Sequence, residues 1–457
     1  MEGIIAPIHK KGDKLDCPNY RGISLLNASY KVLSYIMFRR LQPLAEEFIG
    51  NYQAGFRPGL STTDQIFTVR QILQKCKEFN IITHHLFVDF KAAYDTVNRQ
   101  ELWKIMSEFN FPSKLIRLLQ ATLNGVQCYV RVAGNLAEPF ESLNGLRQGD
   151  ALSCTLFNIV LEGVIRRAGI RTEGTIFNKS TQYVGYADDI NMIGRSHRYV
   201  EESLQNFDRE AKRVGLVINE AKTKYMVTGS SHNSGVGNMV RFQTDDGYYE
   251  FEQVQEFVYL GSLVTSNNDI SLDIKRRIVA ANRCLYGMYK QLRSKKIKTS
   301  TKCTLYKTLL RPVAMYGHES WNLLKSDERL LAVFERKVLR IIFGPKFEPE
   351  QQQWRQLMNH ELYQRFEDIP IERAIKISRL RWAGHVARMA DDKPAKIVFL
   401  QNPEGRRTRG GQKSRWRAQV EGDITAIGRS PGNWVFTASN RETWDAILVE
   451  ARVNNRL

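Results

Sequence analysis

Three aspartates of this chain sit inside apolar, strand-like runs. Asp188 and Asp189 interrupt Tyr183-Val-Gly-Tyr-Ala-Asp-Asp-Ile-Asn-Met-Ile193, and Asp89 interrupts Leu86-Phe-Val-Asp-Phe90. An uncompensated charge buried in a strand is strongly unfavourable, so a fold that accepts these runs has to bring cations to them. Two short β-like runs that each deliver carboxylate at one end imply a pair of divalent metal ions. That arrangement serves in-line phosphoryl transfer, and it constrains the fold more than any other feature of the sequence.

Charge points the same way. The 457 residues carry 67 Lys and Arg against 48 Asp and Glu, a formal net charge of +19. A surplus of that size implies a polyanionic partner, most simply nucleic acid. It is also clustered: residues 271–343 hold 17 basic side chains against 5 acidic, and residues 371–457 hold 17 against 9. Six cysteines (Cys17, Cys76, Cys128, Cys154, Cys284, Cys303) are scattered without CxxC or CxxxH spacing. They imply reduced thiols in an intracellular protein rather than a disulfide frame or zinc site. The start of the chain lacks a basic region followed by an apolar core, and no apolar run approaches the roughly 20 residues that span a bilayer. The expected location is nucleus and/or cytoplasm, neither secreted nor in a membrane.

The hydrophobic pattern predicts helices over 29–44 and 62–77, then a strand over 84–90. Asn98 followed by Glu101 is a capping-box pattern at the start of a helix, whose Leu102, Ile105, Met106 and Phe109 recur at helical spacing. Pro112 opens another helix. Residues 126–132 and 137–142 read as a hairpin around Gly134-Asn135, and 152–167 as an apolar helix. Residues 183–193 read as a two-strand hairpin with the Asp pair at its turn. A helix over 201–214 stops at Gly215, a strand lies within 216–228, a loop covers 230–238 and extended chain covers 251–264. Residues 271–343 are helical and basic, and the less regular tail includes a flexible segment over 405–411. The pattern is α+β with a trailing helical domain.

The chemistry-bearing motifs fall in a fixed order. Phe87-Val-Asp89-Phe-Lys-Ala-Ala-Tyr94-Asp95 precedes Gly145-Leu-Arg147-Gln148-Gly149-Asp150. Tyr186-Ala-Asp188-Asp189 follows, then Gly215-Leu-Val-Ile-Asn219-Glu-Ala-Lys222-Thr-Lys224, then Tyr259-Leu260-Gly261. Over about residues 4–345 this series resembles the reverse transcriptases of non-LTR (LINE-type) retrotransposons. The resemblance implies an RNA-directed DNA polymerase, a nucleotidyltransferase that extends a DNA 3′-OH on an RNA template. It implies an α+β right-hand polymerase of fingers, palm and thumb with a small, mainly helical C-terminal region. The corresponding spans are fingers over 1–85, palm with interleaved fingers elements over 86–268, a basic helical thumb over 269–345 and a basic C-terminal region over 346–457.

The same resemblance assigns Asp89, Asp188 and Asp189 to catalysis and to two Mg²⁺ ions, with Mn²⁺ as a substitute and the Phe90 backbone carbonyl as an extra ligand. Carboxylates and phosphate oxygens are the hard donors Mg²⁺ prefers. One ion would activate the primer 3′-OH and the other hold the triphosphate. Tyr94 takes the place of a steric gate against a ribose 2′-OH, although alone it reads as a core aromatic. Gln148 and Gly149 match the motif near the nascent base pair, where glycine permits close backbone approach. Lys11 and Arg21 resemble the fingers pair that clamps the triphosphate. Lys222 has two readings, a general acid near the leaving phosphates or an exposed helix-end lysine. One departure from the family pattern is Cys154, which follows Ser153 where proline is common.

Tyr259, Leu260 and Gly261 resemble a primer-grip hairpin. Arg276, Arg277, Arg283, Lys290, Arg293, Lys295, Lys296 and Lys298 suit a thumb that neutralises phosphates without reading sequence. In the tail, Arg and Trp interleave around Trp382 and Trp416, which suits RNA stacking, while the same tryptophans also read as the core of a small helical domain. His385 has no Cys or His at ligand spacing. The implied partners are an RNA template, a DNA primer or target and dNTPs, in a ribonucleoprotein with the element's RNA. No endonuclease domain and no zinc knuckle are visible, so the chain reads as a 5′-truncated retrotransposon product or a fragment of a longer reading frame. A catalytically silent remnant that only binds RNA is the alternative. Ala187 and Tyr94 argue against an RNA-directed RNA polymerase, and the missing zinc segment argues against an intron maturase.

Overall fold

The computed structural model describes residues 2–229, 237–407 and 414–454. The loop expected over 230–238 and the flexible segment expected over 405–411 therefore lie largely outside the described residues. Two compact units form, one from residues 1–65 and 82–254 and the other from 66–81 and 255–457.

In the first unit, β1 (Glu2–His9) and β2 (Tyr20–Leu25) make an antiparallel hairpin. Helix α1 (Ala28–Phe48) follows, capped by Asn27, whose side chain accepts from the Tyr30 N–H. Helix α2 (Thr62–Glu78) begins here and continues into residues of the second unit. Next come β3 (Thr83–Val88), the single turn α3 (Ala93–Thr96), α4 (Arg99–Glu108) and α5 (Ser113–Leu123). Asn98 caps α4 by accepting from the Gln100 and Glu101 N–H groups. The reciprocal half of the capping box is absent, because the Glu101 carboxylate pairs instead with Lys104 and Arg167. A charged partner within reach outbids a neutral N–H.

Strand β4 (Gln127–Val132) turns through Ala133 and Gly134, both at positive φ, into β5 (Asn135–Leu136). The turn falls one residue before the predicted Gly134-Asn135, because Asn135 is taken up in the ladder opposite Val132. Strand β6 (Phe140–Glu141) returns to the start of β4. Parallel pairing of β1 with β4 joins these hairpins into one sheet, ordered β2-β1-β4-β5.

Helix α6 (Ala151–Arg167) is buried on almost every face, as expected of a helix that is apolar all round. It supports β7 (Thr181–Tyr186), β8 (Asp189–Gly194) and α7 (His197–Arg213). Helix α7 starts earlier than its apolar periodicity suggests because Ser196 caps it, accepting from the Tyr199 N–H. With β9 (Lys224–Thr228), β10 (Met239–Thr244) and β11 (Gly247–Gln253), a six-stranded sheet forms in the order β10-β11-β9-β3-β8-β7. Strand β3 lies between β8 and β9 and is antiparallel to both, with Val88 opposite Ile190. Continuing that register by one residue brings Asp89 and Asp189 to the same sheet end. Beneath them Leu86, Val88, Phe157, Val160, Ile190 and Met192 belong to one buried core.

In the second unit, β12 (Glu256–Tyr259) and β13 (Ser262–Thr265) form a hairpin where the sequence pattern gave one extended run. Helices α8 (Ile270–Gly287), α9 (Tyr289–Arg293), α10 (Thr299–Leu305), α11 (Arg311–Ala314) and α12 (Lys325–Phe343) follow. A small hairpin, β14 (Lys346–Glu348) and β15 (Gln353–Arg355), leads to α13 (Asn359–Phe366) and α14 (Ile371–Arg388). The unit ends with α15 (Pro394–Leu400), α16 (Trp416–Ala426), α17 (Trp434–Ser439) and α18 (Arg441–Val453). One core gathers Leu285, Leu310, Trp321 and Val338, and another gathers Leu380, Val386, Trp416 and Trp444.

Trp416 is fully buried and its indole N–H donates to the Glu319 carbonyl at 2.7 Å. It is therefore a core residue and offers no face to a nucleic-acid base; Trp382 likewise packs edge-on against Phe67. All six cysteines are free. Among the described residues no helix is long and apolar enough to cross a membrane.

Candidate active site

Asp89 leaves β3 at its C-terminal end and is gripped by the segment that follows α7. Its carbonyl accepts from the Asn219 N–H at 2.7 Å, and its N–H donates to the Thr223 hydroxyl at 3.1 Å. The Lys91 N–H donates to the Val217 carbonyl at 2.9 Å, completing a bridge between Phe90 and Ile218. The two bonds of that bridge pass on either side of Phe90 and leave its carbonyl outside them. The motif at 215–224 thus acts first as a clamp on Asp89, through Asn219 and Thr223, which spacing alone did not single out. It also delivers Lys222, whose ammonium stands 3.5 Å from Asp89 Oδ2. That oxygen is buried and makes no hydrogen bond, so the ion pair is its compensation, at a distance longer than a good N–H···O bond.

Strands β7 and β8 close through the two-residue loop Ala187-Asp188, with Tyr186 opposite Asp189. Burial holds the Asp188 carboxyl above its ordinary pKa; the Asp89 charge adds to this and Arg21 opposes it. Asp189 reaches solvent, yet desolvation and then the charges of Asp188 and Asp89 push it up to about 6. The Asp89 charge thus disfavours ionisation of both Asp188 and Asp189, a strain that a divalent cation relieves. Among the described residues, no group of three or more His, Cys, Asp or Glu side chains is placed to hold a metal ion by itself.

The β1–β2 hairpin supplies the cations. Arg21 is exposed, and its charge is felt by both Asp188 and Asp95. Lys10 also acts on Asp95, whereas Lys11 is exposed on the connecting turn. Lys10 was missed because sequence cannot tell which of two adjacent lysines the hairpin turns toward the carboxylates.

Tyr94, on α3, stacks on Phe157 with ring centroids 4.6 Å apart and planes at 21°. Burial, then Cys154 and Asp188, hold its phenol well above the ordinary value. It is both a packed aromatic and a neighbour of the aspartates. The loop before α6 lies against β2: the Ser24 N–H donates to the Gln148 carbonyl at 2.9 Å, and Gln148 Nε2 donates to Asp95 Oδ1 at 3.3 Å. Gly149 has φ +110°, and a Cβ there would come within 3.1 Å of the Ser24 carbonyl oxygen. Asp150 caps α6 and accepts from the Tyr30 hydroxyl at 2.5 Å. With that cap the helix starts regularly despite Cys154.

In the second unit, Tyr259 is buried while Leu260 and Gly261 form the β12–β13 turn at positive φ. The Leu260 carbonyl accepts from the Tyr316 hydroxyl at 2.9 Å. The Gly261 carbonyl accepts from both Arg276, at 3.1 Å, and Arg277. Arg277 also lies over the Tyr316 ring at 4.5 Å. These two guanidiniums therefore brace the turn; Arg276 is nevertheless exposed, as are Arg283, Lys290, Arg293, Lys295, Lys296 and Lys298, whereas Arg277 is half-buried.

A sequence model of the family described as reverse transcriptase (RNA-dependent DNA polymerase) matches residues 8–264. The chain is 25% identical over 230 residues to a 149 kDa protein of transposon TX1 from Xenopus laevis, covering 50% of this chain and 18% of that one. A transposon-derived protein of Caenorhabditis elegans is 26% identical over 277 residues, 59% of this chain and 96% of its own length. The probable RNA-directed DNA polymerase from transposon X-element of Drosophila melanogaster is 26% identical over 359 residues, 75% of this chain and 37% of its own. The chain thus spans well under two thirds of the first and third of these relatives.

Proposed function

The chain belongs to the reverse transcriptase (RNA-dependent DNA polymerase) family, and from that premise we propose that it extends a DNA 3′-OH on an RNA template as the polymerase of a non-LTR retrotransposon. One observation carries the reading: Asp89, Asp188 and Asp189 meet at one end of a buried sheet, where burial and then the Asp89 charge hold the carboxyls of Asp188 and Asp189 above their ordinary range, with Arg21 and Lys222 beside them.

These residues fit a divalent ion. The donors are hard oxygens, Asp89 Oδ2 is buried without a hydrogen bond, and the clustered charge favours a cation. Asp89 and Asp188 would hold two Mg²⁺ ions, or Mn²⁺, with Asp189 and the Phe90 carbonyl close by. When bound, such ions supply Lewis acidity to the 3′-OH and charge neutralisation to the triphosphate. The protein's own groups do the rest. Arg21 and Lys11, with Lys10, bind the triphosphate; Tyr94 closes the space a 2′-OH would need; Gln148 and Gly149 line the approach of the base pair. Lys222 donates a proton to the leaving pyrophosphate.

The polymerase's parts are fingers over 1–85, palm over 86–268, thumb over 269–345 and a C-terminal region over 346–457. Tyr259, Leu260 and Gly261 would hold the primer end, and the exposed thumb cations would neutralise phosphates. The partners are an RNA template, a DNA primer or target, dNTPs and the element's own RNA.

Primer extension on an RNA template with Mg²⁺ and dNTPs tests this, with Asp89→Ala and Asp188→Ala run in parallel. Extension that disappears in both variants supports the polymerase. A folded parent chain that binds RNA but extends nothing supports a silent remnant instead.

A further inference from the structure

The turn that carries the aspartates is held from outside by one side chain. Gln53 is fully buried, and its carboxamide brackets a single residue. Its Oε1 accepts from the Ala187 N–H at 2.6 Å, and its Nε2 donates to the Ala187 carbonyl at 3.1 Å. The same Oε1 accepts from the Gly55 N–H at 2.8 Å. One amide thereby satisfies both backbone groups of Ala187, as a neighbouring strand would. The backbone continues the pairing. Gln53 bridges Gly185 in parallel, the Ala54 N–H donates to the Gly185 carbonyl at 2.9 Å, and the Gly185 N–H donates to the Tyr52 carbonyl at 2.8 Å. Gln65 Nε2 then donates to both of those carbonyls at 2.8 Å.

Ala187 needs such a bracket because its φ is +54°. A left-handed residue with a Cβ is strained, and glycine is the usual occupant of such a position in a two-residue hairpin loop. Left unbraced, the loop would relax and turn the Asp188 side chain away from Asp89. Gly55 shows how close the brace lies: a Cβ there would stand 2.9 Å from Ala187 Cα and from Gln53 Oε1. Asn158 fixes Gly55 in turn, its Nδ2 donating to the Gly55 carbonyl at 2.7 Å.

We propose that Gln53 is a positioning residue, which holds Ala187 left-handed so that Asp188 and Asp189 present their carboxylates beside Asp89. It meets no reacting atom, and what the carboxylates then accomplish rests on the polymerase reading above. Gln53→Met keeps the shape and removes every bond to Ala187. Gln53→Glu keeps the acceptor and loses the donor to the Ala187 carbonyl.

The full chain and both variants would be compared in thermal unfolding, in Mn²⁺ affinity without nucleic acid, and in single-nucleotide extension across dNTP and Mg²⁺ concentrations. Free Mn²⁺ is read by its electron paramagnetic resonance signal, with Asp188→Ala as the control for the site. Loss of a buried hydrogen-bonded pair corresponds to about a tenfold change in an equilibrium. The expected result is a folded Gln53→Met whose Kd for Mn²⁺ rises by about that factor. Its kcat falls at least as much, KM for dNTP hardly moves and extra Mg²⁺ restores part of the rate, with Gln53→Glu in between. A folded Gln53→Met with unchanged Mn²⁺ affinity overturns the assignment; if that variant does not fold, unchanged affinity in Gln53→Glu does so. Should the parent bind Mn²⁺ yet extend no primer, the polymerase reading fails while the Mn²⁺ shift still decides the role of Gln53.

Discussion

The Lys222 ammonium stands 3.5 Å from Asp89 Oδ2, an oxygen that has no hydrogen bond of its own. A lysine so placed can compensate the carboxylate electrostatically, pass a proton to the leaving group, or do both. Lys222→Arg separates the two, since arginine keeps the charge but does not give up its proton. If proton donation matters, both Lys222→Arg and Lys222→Ala lose about 10²-fold or more in extension rate. Recovery of the parent rate by arginine would leave Lys222 a purely electrostatic role. Single-turnover extension at saturating dNTP is the measurement.

Burial, and then the charge of Asp89, hold the Asp188 carboxyl above its ordinary range, so its ionised form costs stability until a cation arrives. Asp188→Asn removes one of the repelling charges and leaves a side chain of the same shape. In the absence of divalent ions it should therefore melt no lower than the parent, while extension falls by several orders of magnitude. Added Mg²⁺ should raise the melting temperature of the parent more than that of the variant, because only binding to the folded state stabilises it. Differential scanning calorimetry with and without Mg²⁺ checks both statements.

Tyr94 leans on Phe157 and neighbours Asp188. If its ring excludes a ribose 2′-OH, Tyr94→Ala should lower the preference for dNTP over rNTP by at least about tenfold. Tyr94→Phe keeps the stacking and should leave the preference intact. The ratio of kcat/KM for the paired nucleotides decides between the gate and a residue that only packs.

Within the second unit, Arg70 and Asp273 form an ion pair at 3.4 Å with both side chains almost wholly buried. Asp273 also accepts from the Ser262 hydroxyl at 2.7 Å and the Leu263 N–H at 2.8 Å, which ties α8 to the β12–β13 hairpin. Arg70→Met removes the nearer of the two guanidiniums paired with this buried carboxylate, leaving Arg277 at 3.9 Å, and should cost about 3 kcal/mol. Removing both charges, as Arg70→Met with Asp273→Leu, should recover part of the loss. Urea unfolding of the single and double variants gives the comparison.

Lys75 is buried, and desolvation pushes its pKa down to about 7. Above that pH the folded chain has released a proton that the unfolded lysine keeps until about pH 10.4. Stability from this group therefore rises as pH climbs from about 7 toward 10 and is flat below 7, where both states are charged. Lys75→Met should abolish that part of the slope. Denaturant midpoints at pH 7 and pH 9 for parent and variant suffice to check it.

Much of the site was legible before folding. Apolar runs broken by acids located β3 and the β7–β8 turn, because a strand's alternation and a charge's desolvation cost are local properties of a few residues. The segment at 215–224 was found by its motif, but its first task, gripping Asp89 through Asn219 and Thr223, was not. The capping box at Asn98 was half right for the same reason: nothing near Glu101 in the chain announces Arg167. Trp416 could be read either as a stacking platform or as core, and only its complete burial decided the matter.

Which groups carry charge, where strands end on carboxylates and which family these motifs belong to all depend on neighbours along the chain, and so were readable from residue order. Only folding brought Arg276 and Arg277 to the carbonyl of Gly261 and the carboxamide of Gln53 to both backbone groups of Ala187. The bond from Gln53 to Ala187 and the bond from Asp89 to Thr223 each join residues 134 positions apart. No periodicity reaches that far, because hydrophobic pattern records which face of an element is buried but not which distant polar group will meet it there.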